Sequence, residues 1–116
     1  MVAVFRNAGA LKDAELVDWG AVPGPLGGPV SRTRGLLLHR GEDGSPEAGY
    51  WECTPGKWRC EITRDEFCHF LEGRCVYIRD TGERTEISGG DTAFFPAGWT
   101  GRCEVSETIR KLYMIR

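Results

Sequence analysis

The chain has 116 residues, 41% apolar and 28% charged, with a formal net charge of −2 at pH 7. That length fits one domain with a modest core, and 15 basic residues scattered among 17 acidic ones build no nucleic-acid footprint. No apolar run reaches the roughly 18 residues of a membrane span. The first twenty residues also lack the basic stretch and apolar core of a secretory signal, so a cytoplasmic protein with neither membrane nor nucleic-acid partners is expected.

Residues 1–30 read as an N-terminal arm or connector packed on the main domain. LKDAELVDWG suits a helical turn or an extended arm, and AVPGPLGGPV, with three Pro and three Gly, suits neither regular helix nor central strand. Strand signals begin at residue 31. RTRGLLLHRG is a plausible strand, and GEDGSPEAG is a loop of turn formers. YWECT follows, then a Pro55-Gly56 turn, then KWRCEIT, whose alternation puts Trp58, Cys60 and Ile62 on one face and Lys57, Arg59 and Glu61 on the other. EFCHFLEG is an apolar run broken by Gly73 and continued by RCVYIRD. After a turn at residues 80–83 come ERTEIS, TAFFP, RCEVSE and, last, TIRKLYMIR. Strands at intervals of about 8–12 residues point to an all-β sandwich or barrel. The expected organisation is an arm over 1–30 and a barrel over 31–116.

The five cysteines, Cys53, Cys60, Cys68, Cys75 and Cys103, form no C-x-x-C pair. An odd count without a signal sequence reads as reduced thiols filling a core.

Two stretches carry more than class information. EFCHFLEG has a Glu, six residues and a Gly, and GDTAFFPAGWTG places Gly90, Pro96 and Gly98 in order. The first resembles the end of the cupin motif G-x5-H-x-H-x3-4-E-x6-G, and the second the start of G-x5-P-x-G-x2-H-x3-N. The segments GYWECTPGKWRCEI, DEFCHFLEG, GGDTAFFPAGWTG and TIRKLYMI together resemble the small single-domain, RmlC-like cupins of the DUF861 type, the ureidoglycine aminohydrolase and ethanolamine-utilisation group. The resemblance implies a cupin jelly roll, a double-stranded β-helix, and a homodimer. It does not transfer a reaction.

Metal-binding cupins hold their ion with three His and a Glu. Here only Glu66 stands at its position. The paired His fall on Arg59 and Glu61, or on Cys60 and Ile62, and the closing His falls on Gly101. His39 and His69 replace none of them, since His69 lies three residues after Glu66 and so on the other strand face. No cofactor is expected. Were a divalent metal to bind, Glu66, Cys60 and Cys103 would be its ligands.

Glu66 is the first candidate for catalysis. It shares a face with Cys68 and Phe70, and burial among apolar neighbours is expected to raise its pKa. The ligand-binding candidates are Trp58, Cys60, Cys68, Phe70, Trp99, Cys103, Lys111 and Tyr113. Trp58 and Trp99 would line a cavity, with Trp99 expected near the mouth or in a subunit contact. The three cysteines offer thiol donors or core filling, and Lys111 and Tyr113 share a face of the last strand. Arg59, Arg102, Arg110 and Lys111 are candidates for holding a ligand carboxylate. Three readings follow: a module binding a small polar metabolite of ureido, amine or carboxylate type; an amidohydrolase or isomerase of nitrogen metabolism using Glu66 as general base or metal ligand; or a structural domain with a sealed core.

Overall fold

The computed structural model of the protein describes residues 2–11 and 13–116; Lys12, within LKDAELVDWG, lies outside the described residues. Two 3-10 turns, Ala8–Ala10 and Asp13–Glu15, precede eight strands. These are β1 (Val17–Ala21), β2 (Arg32–Arg40), β3 (Glu47–Cys53), β4 (Gly56–Glu61), β5 (Glu66–Arg79), β6 (Arg84–Ser88), β7 (Thr92–Phe95) and β8 (Thr100–Ile115). All pair antiparallel in one sheet of order β1-β2-β3-β8-β5-β6, with β4 added beside β8 and β7 beside β5. Among the described residues, no helix is long and apolar enough to cross a membrane.

The long strands β5 and β8 form the spine. They pair with each other from Glu66↔Ile115 to Arg79↔Gly101. On its other edge β8 takes β3 along residues 109–115 and β4 along residues 100–105, and β5 takes β7 and then β6. Each long strand thus serves both halves of the domain. The sequence suggests breaks at Gly73 and between RCEVSE and TIRKLYMIR, but neither strand is interrupted. Gly73 adopts φ +96°, and a Cβ there would lie 2.1 Å from the Thr108 carbonyl oxygen. Only glycine lets the two backbones approach this closely, and the ladder absorbs the kink as register shifts between Phe70 and Cys75. The arm also enters the sheet: β1 pairs with β2, and a Cβ on Gly35 would collide with the Trp19 ring, which lies over that position.

Alternation packs the inner faces. Tyr77, Phe95 and Trp99 form an aromatic cluster with ring centroids 4.6–5.9 Å apart, and Cys53, Cys68 and Cys103 are fully buried beside it. Trp99 therefore lies in the core, 8% exposed, and not at the mouth where its turn suggested. On β3, between its ladder partners Arg34 and Arg110, Glu52 is 2% exposed, yet it accepts two bonds from Arg34 (2.7 and 2.9 Å) and one from Arg110 (3.0 Å). Both arginines also reach Asp13, which ties the second 3-10 turn to the sheet.

Candidate ligand cavity

A cavity of about 340 Å³ opens on the inner faces of β3, β4, β5 and β8. Its walls are Trp51, Trp58, Tyr77 and Phe95, with Trp19 contributed by β1. Its polar groups are Glu47, Glu61, Glu66, Lys111 and Tyr113. An apolar lining with a few convergent polar groups is the usual make-up of a small-molecule pocket.

Lys111 and Glu66 set the electrostatics. Lys111 comes from β8 and Glu66 from the start of β5, close to the Phe70↔Lys111 pairing of the two strands. The Lys111 Nζ donates to Glu66 Oε2 at 2.7 Å, with side chains only 7% and 14% exposed. It also sits over the Trp51 ring, 4.5 Å from the centroid, and 5.6 Å from that of Phe70. Cys68 Sγ donates to the same Oε2 at 2.9 Å. Burial alone pushes the Glu66 carboxyl up, but the Lys111 charge and the bonds from Cys68 and Lys111 outweigh it and hold the pKa below its ordinary value. Burial likewise pushes Lys111 down, and Glu66 outweighs it, so the ammonium is held above its ordinary range. The pKa rise expected for Glu66 is thus reversed, because the sequence does not reveal its cation 45 positions away. At the cavity edge Tyr113 donates its hydroxyl to Glu47 Oε2 at 2.8 Å, and Arg40 donates to the other oxygen of Glu47 at 3.1 Å.

Of the ligand-binding candidates, Trp58, Cys60, Lys111 and Tyr113 line this cavity together with Glu66. Cys68, Phe70, Trp99 and Cys103 lie behind it, each at most 8% exposed. Cys60 faces inward and Arg59 outward, where Arg59 binds Asp80 through both terminal nitrogens. Of the four proposed carboxylate-holding cations, Arg102 pairs with Glu104 and Arg110 with Glu52, so Lys111 alone faces the cavity. His69 faces outward, its Nδ1 3.0 Å from the Thr92 hydroxyl, and His39 is exposed.

Tyr77 and Glu47 are lining residues that the sequence hid. Counting by twos from Glu66, Cys68 and Phe70 predicts an outward Tyr77, but the bulge around Gly73 flips the parity so that Cys75 and Tyr77 point in. Glu47 follows Pro46 in a stretch that reads as loop, yet β3 already begins there.

The chemistry of the donors disfavours an inner-sphere metal. Among the described residues, no three His, Cys, Asp or Glu side chains converge as a ligand set. Glu66 is bound to an ammonium, and burial pushes the thiols of Cys60 and Cys68 up to about 12, which keeps them protonated at neutral pH.

Comparison with known proteins agrees with this architecture. The sequence profile of the EutQ-like cupin domain matches residues 40–113. No curated protein matches the chain. A DUF861-family protein from Thermotoga maritima is 30% identical over 58% of this chain and 76% of its own, with a TM-score of 0.57. A putative ethanolamine utilization protein Q from Salmonella typhimurium is 22% identical, covering 98% of this chain and 91% of its own, with a TM-score of 0.68. A DUF861-family protein of unknown function from Pseudomonas syringae superposes with a TM-score of 0.78 at 22% identity, over 87% of this chain; the chain spans 44% of that protein's length. With its jelly-roll sheet, its paired motifs and this profile match over more than half its length, the chain belongs to the family of EutQ-like cupin domains.

Proposed function

We propose that the barrel is a binding module for a small polar metabolite and works without the His-based metal site of other cupins. The observation that carries this reading is the Glu66–Lys111 ion pair at the floor of an aromatic-walled cavity. The pair is electrically balanced, so a ligand bearing a net charge would leave one charge uncompensated in a buried site. A neutral ligand would not. Both intramolecular bonds to Glu66 fall on Oε2, which leaves Oε1 as an acceptor beside the Lys111 N–H donors. An acceptor next to a donor complements a neutral group that carries both, such as a carboxamide, and the Trp and Phe walls suit a flat apolar body. Among ureido, amine and carboxylate ligands, this balance favours the uncharged one. The general-base reading of Glu66 loses support, since a carboxylate with a depressed pKa is a weaker base. Five unpaired thiols suit a reducing compartment, which supports a cytoplasmic setting.

Three isosteric probes test this: benzamide, benzoate and benzylamine, titrated while tryptophan fluorescence is followed. Benzamide is expected to bind saturably with a Kd of roughly millimolar strength, as befits so small a ligand, and to bind at least tenfold more tightly than the two charged probes. Trp58→Ala should abolish that binding. Glu66→Gln leaves the ammonium unbalanced and should shift preference to benzoate. Failure of all three probes to saturate, or binding that ignores Trp58→Ala, would sink the cavity as a ligand site.

A further inference from the structure

The two outer faces of the sheet differ in charge. On the half built from β4, β8, β5 and β6, Lys57 stands opposite Glu104 and Arg59 opposite Arg102, and Arg84 and Glu86 continue the charged surface on β6. That is the polar outer face an antiparallel sheet turns to water. The half built from β2, β3, β8, β5 and β7 has no such face. One row crosses all five strands as His39, Ala48, Met114, Phe67 and Phe94, each opposite the next in the ladder. The row beside it holds Leu36, Tyr50, Leu112, His69 and Thr92. Neither row contains a Lys, Arg, Asp or Glu.

Phe94, Phe67 and Met114 are nevertheless 61%, 47% and 46% exposed. Standing on three adjacent strands, they form one continuous apolar stripe, and a contiguous stripe marks an interaction surface where scattered single residues would not. Charged groups flank it, with Arg34, Glu52 and Arg110 on one side and Asp65 and Arg116 on the other. An apolar centre inside a polar rim is how protein interfaces are built.

The relief of the stripe identifies its partner. Counted outward from Met114 on β8, bulk rises toward one edge, through Phe67 on β5 and Phe94 on β7, and drops on the other side at Ala48 on β3. A two-fold axis lying along β8, in the plane of contact, sets this profile against its own reverse. Met114 then meets the partner's Met114, Phe67 enters the step over the partner's Ala48, and Phe94 reaches the ring of the partner's His39. With no charge in either row, no like charges are brought together, whereas a partner of different sequence would find no charge here to orient it.

We propose that this face joins two copies of the chain into an isologous dimer whose two-fold axis runs along β8. None of the ten residues lines the ligand cavity, which opens on the inner side of the same strands, so the dimer stands independently of the ligand reading. Ten positions on strands about 4.8 Å apart, with same-face neighbours about 6.8 Å apart, cover roughly 330 Å² of plane. With the rims added, the interface falls below the usual value of about 800 Å² per partner, and a Kd in the micromolar range is expected.

Sedimentation velocity of the full chain over a concentration series tests this. The wild type is expected to sediment as a dimer well above its Kd and to dissociate on dilution. Phe67→Glu sets two unpaired carboxylates in the contact and should raise the Kd more than about a hundredfold. Phe94→Glu, on a different strand, should do the same, and Arg84→Glu, on the charged outer face, should leave the Kd unchanged. Circular dichroism and the unfolding midpoint of each variant separate loss of contact from loss of fold. Cross-linking reads the axis. The five native thiols are buried, so a short bismaleimide should link two copies of Met114→Cys at that position, and Arg84→Cys should give no linked dimer. A wild-type chain that stays monomeric at hundreds of micromolar, a folded Phe67→Glu protein that dimerises as the wild type does, or equal cross-linking at positions 84 and 114 would each overturn the proposal.

Discussion

Lys111→Met is expected to lower the unfolding free energy by about 3–5 kcal/mol, because it leaves a carboxylate buried without its cation. Glu66, with a side chain 14% exposed, would keep only the Cys68 thiol as donor. Removing both charges together, in Glu66→Leu/Lys111→Met, should restore stability to near the wild-type value, since two apolar side chains of similar length end the desolvation of both ions. The pH dependence follows from the directions of the two shifts. The folded-state pKa of Glu66 lies below 4.5, so its contribution is fully present above that value and is lost as pH falls through the folded pKa. The folded-state pKa of Lys111 lies above 10.5, so its contribution is fully present below that value and is lost only as pH rises through the folded pKa. In Lys111→Met, Glu66 retains burial without the cation and is protonated more readily. The gap between wild type and variant should therefore be widest near neutrality and shrink toward pH 4. Urea denaturation at a series of pH values measures it, and a gap below about 1 kcal/mol at pH 7 would show that the pair behaves as an exposed one.

Gly101 carries the second large effect. By its resemblance to metal cupins this position takes the closing His, but it is buried beneath the core. A Cβ there would lie 2.2 Å from the Ile78 carbonyl oxygen and 2.8 Å from the Trp99 ring. Any side chain must push the β5 backbone aside or expel Trp99 from its stack with Tyr77 and Phe95. Gly101→Ala should cost about 3 kcal/mol, the upper part of the range for overpacking a core, and Gly101→His more. Restoring that His is thus expected to lose the fold without gaining a metal. Denaturation midpoints and metal content by mass spectrometry check both statements. A Gly101→His protein of wild-type stability holding about one metal per chain would contradict them.

Both effects arise where alternation along β8 holds, on either side of the exposed Ser106–Glu107 pair, and this explains why part of the site was legible. Gly101, Cys103, Val105, Ile109, Lys111 and Tyr113 all occupy odd positions and all are buried, so period-two reading of the last strand places Lys111 and Tyr113 correctly. The same counting fails on β5, where the bulge around Gly73 shifts the inward set from even to odd and hides Tyr77. Glu66 was legible from its motif position, but its state was not. A carboxylate's pKa depends on the nearest charge in space, and nothing in EFCHFLEG points to a lysine on the final strand. Trp99 misled for a related reason. Its Gly-flanked turn reads as exposed, whereas the glycine at 101 is what lets the ring fold back into the core. The arm was the least legible region. Its Asp13 gains meaning only when Arg34 and Arg110, from two different strands, converge on it and on Glu52.

The charge state of Glu66 separates a binding cavity floored by a balanced ion pair from an acid–base site. Carbon-13 NMR of the protein labelled at the glutamate side-chain carboxyls, titrated from neutral pH into acid, reads it directly, with Glu66→Gln assigning the resonance. The ion pair predicts a Glu66 midpoint below its ordinary 4.5, lost together with the fold or just before it. A midpoint well above 4.5 would mean that burial outweighs Lys111, and would return Glu66 to the role of a proton-transferring catalyst.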